Sequence, residues 1–289
     1  MSASIPPLLQ ALCDDAAMFP PGNAPQAEAL TAHAAHRRSA HAELVGPFVF
    51  PSNRLDELDG VGPLSLALTV PEGAVAVGRA LSTAAEHDDV TVVAVEIGPT
   101  AGDEHGAQLV RARIPGAVVG YAEVPRSADT SHYLRAVADA GLYAKFRTGG
   151  VRADLYPDAH ELAASVVAAI EAGVAFKATA GLHHAIRNTD THTGFEQHGF
   201  LNLLLATSLA LDGAAVTDLA RVLDDRNAET IAAALTSLSA ERARDVRAAF
   251  HSFGTCSIVE PLNDLIDLGL VPAELRPAAT PHLSQGTDA

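Results

Sequence analysis

Residues 142–179 read LYAKFRTGGVRADLYPDAHELAASVVAAIEAGVAFKAT. The stretch opens with a short run, Leu142–Arg147, and closes with another, Val174–Thr179, each apolar and too short for a helix. Between them, Asp158–Ala172 carries apolar residues at intervals of three and four and is bounded by Pro157 and Gly173, which reads as a helix. Strand, helix, strand is the unit of a parallel sheet. In the first run the bulky Phe146 suits the helix layer, so alternation turns Lys145 and Arg147 to the opposite face. In the second, Phe176 places Lys177 and Thr179 inward by the same logic.

The alternation extends along the chain. Candidate strands are Ala16–Phe19, Gly46–Phe50, Leu64–Val70, Val90–Ile97, Ala117–Val124, Leu142–Arg147, Val174–Thr179 and Ala249–Cys256, with helical patterns between them such as Pro25–Arg38, Gly73–His87 and Thr130–Ala140. Eight such units predict an α/β protein with a closed (β/α)8 barrel. An open dinucleotide-binding sheet would call for G-x-G-x-x-G after the first strand, and Phe19-Pro20-Pro21-Gly22 is not that turn. The connection after strand two is short, about one helical turn at Leu55–Leu58. Residues 182–248 form a helical insertion between strands seven and eight, with helices over Phe200–Leu211, Ala215–Leu223, Glu229–Leu238 and Glu241–Ala248. Because it follows a strand end, it is expected to cover the barrel mouth. The expected organisation is one domain over residues 1–270 and an irregular tail over 271–289.

Composition narrows the function classes. The chain has 289 residues, 48% of them hydrophobic, enough for a substantial core. Its net charge of −16, without a basic patch, disfavours nucleic acid and anionic membrane surfaces as partners. Cys13 and Cys256 cannot make a disulfide framework, and the start MSASIPPLLQALCDD lacks the basic and apolar run of a signal peptide, so a cytoplasmic protein is expected. The strongly apolar stretch Phe200–Leu211 is too short to span a bilayer.

Of the 19 basic residues only Lys145 and Lys177 are lysines. Only an amine can lose its proton near neutral pH and attack a carbonyl. Adjacent strands deliver both to one cavity, with Arg147 beside them. Crowded positive charge and burial would lower the pKa of Lys145. The other reading open at this point makes both lysines buried ion-pair partners of Glu96 or Glu123, whose strands aim them inward as well.

Three motifs, Lys145-Phe146-Arg147-Thr148-Gly149-Gly150, Phe176-Lys177-Ala178-Thr179-Ala180-Gly181 and Phe253-Gly254-Thr255-Cys256-Ser257, together resemble the last three strands of class I (Schiff-base) aldolases of the deoxyribose-phosphate aldolase type. Phe48-Val49-Phe50-Pro51 is similar to their second strand. The resemblance implies Lys145 as the Schiff-base nucleophile, Lys177 as the amine that lowers its pKa, and small residues after strands seven and eight as an anion site. It implies a lyase acting on a small carbonyl compound without a cofactor. Arg147, where the family has a small hydroxyl residue, the turn Leu182-His183-His184 and the long helical insertion depart from the pattern.

The catalytic set expected is therefore Lys145, Lys177 and Arg147, with Glu96 and Glu123 for proton relay. The substrate-binding set is Thr148, Gly149, Thr179, Gly181, His183, His184, His198, Asn202, Gly254, Thr255 and Ser257. Asp14, Asp15 and Asn23 flank the first strand, and two readings stay open for them, reach into the cavity and helix capping. His183, His184, His192 and His198, with Asp190 and Glu196, offer metal-ligating chemistry and hence a metal-dependent hydrolase as an alternative, although no H-x-H or H-E-x-x-H spacing supports it and no residue is assigned to a metal. Cys256 reads as a small buried residue, since nothing in Phe253–Ser257 supplies a positive neighbour. A third class is a non-catalytic barrel whose lysines hold an anionic small ligand. Self-association into a homo-oligomer is left open.

Overall fold

A computed structural model describes residues 4–58, 62–99, 105–106, 108–109, 112–126 and 129–277. Eight parallel strands close into a barrel: β1 (Cys13–Asp15), β2 (Val45–Pro51), β3 (Leu64–Val70), β4 (Val90–Ile97), β5 (Val119–Glu123), β6 (Tyr143–Arg147), β7 (Phe176–Thr179) and, after a two-stranded ribbon of β8 (Asn188–Thr189) and β9 (Glu196–Gln197), β10 (Phe250–Thr255). β10 pairs with both β7 and β1, which shuts the ring. The (β/α)8 architecture expected from the alternation is the observed one.

Helices α1 (Gln26–Arg37), α2 (Val77–Ala84), α3 (Thr130–Asp139) and α4 (Ala159–Glu171) connect the earlier strands, and a 3-10 turn over Ser52–Glu57 makes the short connection after β2. Local chemistry sets their ends. The Asp129 carboxylate accepts from the His132 amide at 3.0 Å and Asp158 from the Glu161 amide at 2.8 Å, capping α3 and α4. Gly141 and Gly173, at φ +67° and +64°, end the same helices in the left-handed conformation.

The first strand differs from expectation. It is Cys13–Asp15, and Ala16–Phe19 forms a turn. The Asp15 carboxylate accepts from the Ala17 amide at 3.2 Å, and the Phe19 amide donates to the Ala16 carbonyl, so this apolar segment folds back on itself.

The long excursion after β7 also differs. Its helices are α5 (Phe200–Leu211), α6 (Val216–Asp224), α7 (Ala228–Thr236) and α8 (Ala240–Ala249), close to their expected bounds. They do not cover the mouth. α5 is buried almost all round because it lies between β10 and an outer layer of α6, α7 and α8, with Phe200 stacked on Phe253 at 4.9 Å between ring centroids. An apolar helix with no polar face must be covered on both sides, and this insertion supplies its own cover. After α9 (Val259–Asp267), Val271 and Leu275 are buried and Arg276 donates to Asn263 and Asp267, so the first part of the expected irregular tail is docked; residues 278–289 lie outside those described. No helix among the described residues is long and apolar enough to cross a membrane.

Candidate active site

Strand alternation places the charged residues. Glu96 lies between Val95 and Ile97, Glu123 between Ala122 and Val124, Lys145 between Ala144 and Phe146, and Lys177 between Phe176 and Ala178. All eight flanking residues are buried in the outer hydrophobic core, so the four charged side chains face the barrel interior. Register completes the placement: Glu123 is opposite Lys145, and Lys145 is opposite Lys177.

The result is a continuous ionic ladder. The Lys177 ammonium lies 2.5 Å from Asp14 Oδ2 and 2.5 Å from Glu96 Oε1. The other oxygen of Glu96, Oε2, accepts from Lys145 at 3.2 Å. Lys145 Nζ is also 2.9 Å from Glu123 Oε2, and Glu123 Oε1 accepts from Arg147 Nε at 2.9 Å. Three carboxylates and three cations alternate, so the ladder carries no net charge. At its deep end the Ser252 hydroxyl donates to Asp14 Oδ2 at 2.8 Å. The register of β10 shifts between Phe250 and Phe253, which turns both His251 and Ser252 inward; His251 Nδ1 meets the Tyr121 hydroxyl at 2.8 Å. Val49, Ala67, Ala94 and Tyr121 form a separate buried cluster inside the barrel, and the Lys177 ammonium lies 5.4 Å from the Tyr121 ring centroid.

These contacts overturn the expected direction for Lys145. Burial pushes its pKa down, but Glu123 and Glu96 outweigh burial and the repulsion of Lys177, and the net direction is upward. The expectation of a depressed pKa weighed three positive charges without the carboxylates between them. Arg147 engages Glu123, and Lys177 is itself held charged: burial lowers it, and Asp14 and Glu96 more than compensate. Burial would raise the Glu123 carboxyl, but Lys145 and Arg147 hold it at about 2. For Asp14, burial prevails over the Lys177 charge and leaves its pKa above the ordinary value.

At the carboxyl ends of the strands a cavity of about 660 Å³ opens over this ladder. Glu96, Glu123, Lys145 and Arg147 line it, and Lys177 lies beneath, 1% exposed. All five expected catalytic residues thus belong to one network, with a single amine at the cavity surface.

The substrate-binding set divides. Thr179, Gly181, His183 and Gly254 line the cavity. The others are not among its lining residues. The Thr148 hydroxyl is buried and donates to the Ala180 carbonyl at 2.5 Å, joining the ends of β6 and β7. A Cβ on Gly149 would lie 2.8 Å from Gly181 Cα, so this glycine serves close packing of the two turns. His184 pairs with Asp264 at 3.1 Å on the outer side. His198 is buried with Nε2 2.8 Å from the Pro157 carbonyl, and the Asn202 amide binds the Val222 and Asp225 carbonyls while its oxygen accepts from the Arg187 amide. Both are structural ties of the insertion. Thr255 donates to the Ser257 carbonyl, and the Ser257 hydroxyl accepts from the Glu260 amide at the start of α9.

The histidines expected to offer metal chemistry are dispersed among separate partners, with His192 in the ribbon turn beside Thr191 and Asp190. No group of three or more His, Cys, Asp or Glu residues that could hold a metal exists among the described residues.

Asp14 is the ladder residue that the strand pattern leaves undecided. A three-residue strand has no readable period, and its partner Lys177 is 163 positions away. One signal is Gly46 on β2, where a Cβ would lie 2.2 Å from Asp14 Oδ1: a side chain there would fill the room the carboxylate occupies. Ala16, Phe19 and Pro20, expected in part as strand, instead line the cavity. No protein family, curated protein or solved structure matches the chain.

Proposed function

We propose that the protein is a lyase of class I aldolase type, acting on a small carbonyl compound through a Schiff base at Lys145. The observation that carries this reading is the position of Lys145: it is the one lysine of the pair at the cavity, and it lies within proton-transfer reach of two carboxylates that also line the cavity.

The chemistry follows from that placement. Lys145 rests as an ammonium and passes a proton to Glu96 or Glu123 as the carbonyl compound enters. The free amine adds to the carbonyl carbon, and its nitrogen loses a second proton. The carbinolamine oxygen receives a proton and leaves as water, giving an iminium that accepts the electron pair of the carbon–carbon bond being broken. Lys177 has a different part from the one the family resemblance implies: it keeps Glu96 ionised and therefore able to accept the proton. Arg147, half-exposed at the mouth, offers charge to an anionic substituent.

The test is reductive trapping. Incubation with small aldehydes and ketones followed by borohydride should add the mass of one ligand less one oxygen atom at Lys145 in the wild type and nothing in Lys145→Arg. Absence of any wild-type adduct across the panel would remove the imine.

A second reading has one observation in its favour, the two carboxylates 3.2 and 2.9 Å from Lys145 Nζ that hold it as an ammonium. A permanently charged Lys145 would make the cavity an anion-binding site without covalent chemistry. In that case Lys145→Arg should bind a small carboxylate or phosphate ester as well as wild type does, and calorimetry separates the two.

A further inference from the structure

Cys256 and His183 also line the cavity, on the wall formed by the ends of β7 and β10. Within Phe253–Ser257 the cysteine has no positive neighbour, but closure of the barrel brings one from the segment after β7. His183 Nδ1 stands 3.7 Å from Cys256 Sγ and 3.2 Å from Glu260 Oε2. Glu260 belongs to the first turn of α9, so the peptide that follows the cysteine supplies the carboxylate that orients the histidine.

The same ring nitrogen faces a carboxylate and a sulfur. A carboxylate at that nitrogen favours its protonated form, so Nδ1–H points toward both acceptors. Burial lowers the His183 pKa, but the contacts with Cys256 and Glu260 prevail and raise it to about 10. An imidazolium beside sulfur stabilises the negative charge that sulfur carries as a nucleophile. The opposite flank of the cysteine is close-packed: a Cβ on Gly22 would lie 2.8 Å from Cys256 Cβ and 3.4 Å from its sulfur. Cys13, by contrast, is fully buried in the outer core, where burial pushes its thiol well above the ordinary range.

We propose that Cys256, His183 and Glu260 form a second reactive centre in the cavity wall, where the sulfur adds to the β-carbon of a small α,β-unsaturated aldehyde or ketone. In this step the S–C bond forms and the carbon–carbon π pair moves toward the carbonyl oxygen. The sulfur reacts as the thiolate of a thiolate–imidazolium pair, the resulting enolate takes the imidazolium proton at its α-carbon, and His183 is left as neutral imidazole until solvent reprotonates it. The net change is addition of S–H across the double bond, with no oxidant or reductant. The choice of a conjugated carbonyl rests on the reading of Lys145 as a carbonyl-binding amine, whereas the nucleophilic role of Cys256 stands on its own geometry.

Two probes separate these parts. Iodoacetamide tests the sulfur alone, and methyl vinyl ketone tests the substrate class; both are followed at about pH 7 by intact mass and peptide mapping, with Cys13 as the internal control. Cys256 should react at least about tenfold faster in wild type than in His183→Gln, with Glu260→Gln between them, while Cys13 stays unmodified. Far-UV circular dichroism checks the fold of both variants. Equal iodoacetamide rates at Cys256 in wild type and both variants would overturn the centre. If those rates differ but the ketone shows no greater preference for Cys256 than iodoacetamide does, the substrate class is wrong. A Cys256 adduct with the ketone alongside failed borohydride trapping at Lys145 would support this centre and count against the Schiff base alone.

Discussion

The barrel interior and the ribbon after β7 hold the same kinds of groups in different solvents. Inside, Asp14, Glu96, Glu123, Lys145 and Lys177 have side chains between 1% and 11% exposed and are linked through shared carboxylates. At the ribbon, Glu196 pairs with Arg187 and Arg226, and Arg187 with Asp224, where the acids are 46% and 60% exposed. Water solvates Glu196, Asp224 and Arg226 whether or not they pair, and Arg187, 11% exposed, is the one ribbon charge of these four that is mostly buried. The interior charges are held chiefly by one another, with the Ser252 hydroxyl on Asp14 and the Tyr121 ring beside Lys177, so each partner determines the protonation of the next. Chemistry-bearing residues therefore set one another's protonation where they are buried together beside a cavity, and His192 and His198, each with its own local partner, do not.

The largest effect should come from Glu96, the carboxylate that both lysines share. Glu96→Leu leaves two buried ammonium groups one carboxylate short and removes the charge that separates them. A loss of about 3–5 kcal/mol in unfolding free energy is expected from urea titration, because breaking a buried network is far costlier than never building it. A loss below 1 kcal/mol would mean that water enters the ladder freely, and the contrast with the ribbon would fail.

That dependence on mutual contact explains how much the sequence could disclose. Scarcity of lysine singled out Lys145 and Lys177, and the flanking Phe146 and Phe176 told which way they point, since each phenylalanine packs into the outer core. Glu96 and Glu123 were legible for the same reason. The sign of the Lys145 shift was not, because it depends on how many carboxylates reach the amine, a tertiary quantity that strand period does not encode. Likewise the polar character of His198 and Asn202 marks them as functional by type, while their carbonyl partners come from Pro157, Val222 and Asp225 in other elements. The His183–Cys256 pair required two strand ends to be neighbours, which the barrel order β7–β10 provides.

Acid should dissect the ladder next. Glu123 has a folded-state pKa of about 2 against roughly 4.3 when unfolded. Its contribution is present above the unfolded value and disappears as pH falls through the folded one. The resulting loss is up to about 3 kcal/mol between roughly pH 4.5 and pH 2. In Glu123→Gln the stability curve should be flatter in that window by about one proton's worth of slope, measured from urea midpoints at each pH. Unchanged slope would place the acid-labile group elsewhere.

Gly46→Ala tests the deep end with a single methyl group. With the new Cβ placed 2.2 Å from Asp14 Oδ1, either the carboxylate leaves Lys177 or β2 moves outward. The expected cost is about 1–3 kcal/mol. Pairing it with Asp14→Ala should recover part of that cost, since the two share one space; strict additivity would show that the glycine serves the strand and not the carboxylate.

The smallest effect belongs to the ribbon. Arg226 is about half exposed, donates to both Thr189 and Glu196, and has partners that are also wet. Arg226→Ala forfeits a screened attraction but also removes the entropic cost of holding the Arg226 and Glu196 side chains in one geometry, and those contributions nearly cancel. The expected change is roughly 0–1 kcal/mol at low salt, shrinking further as ionic strength rises and the Debye length shortens to a few ångströms. Glu96→Leu should show much less sensitivity to salt, because mobile ions do not reach the barrel interior. Measuring both variants at low and at about 1 M sodium chloride turns the comparison into a difference of slopes. If the Arg226 effect exceeds 2 kcal/mol and persists in salt, the ribbon is a buried network in solution, and the solvent contrast between the two regions fails.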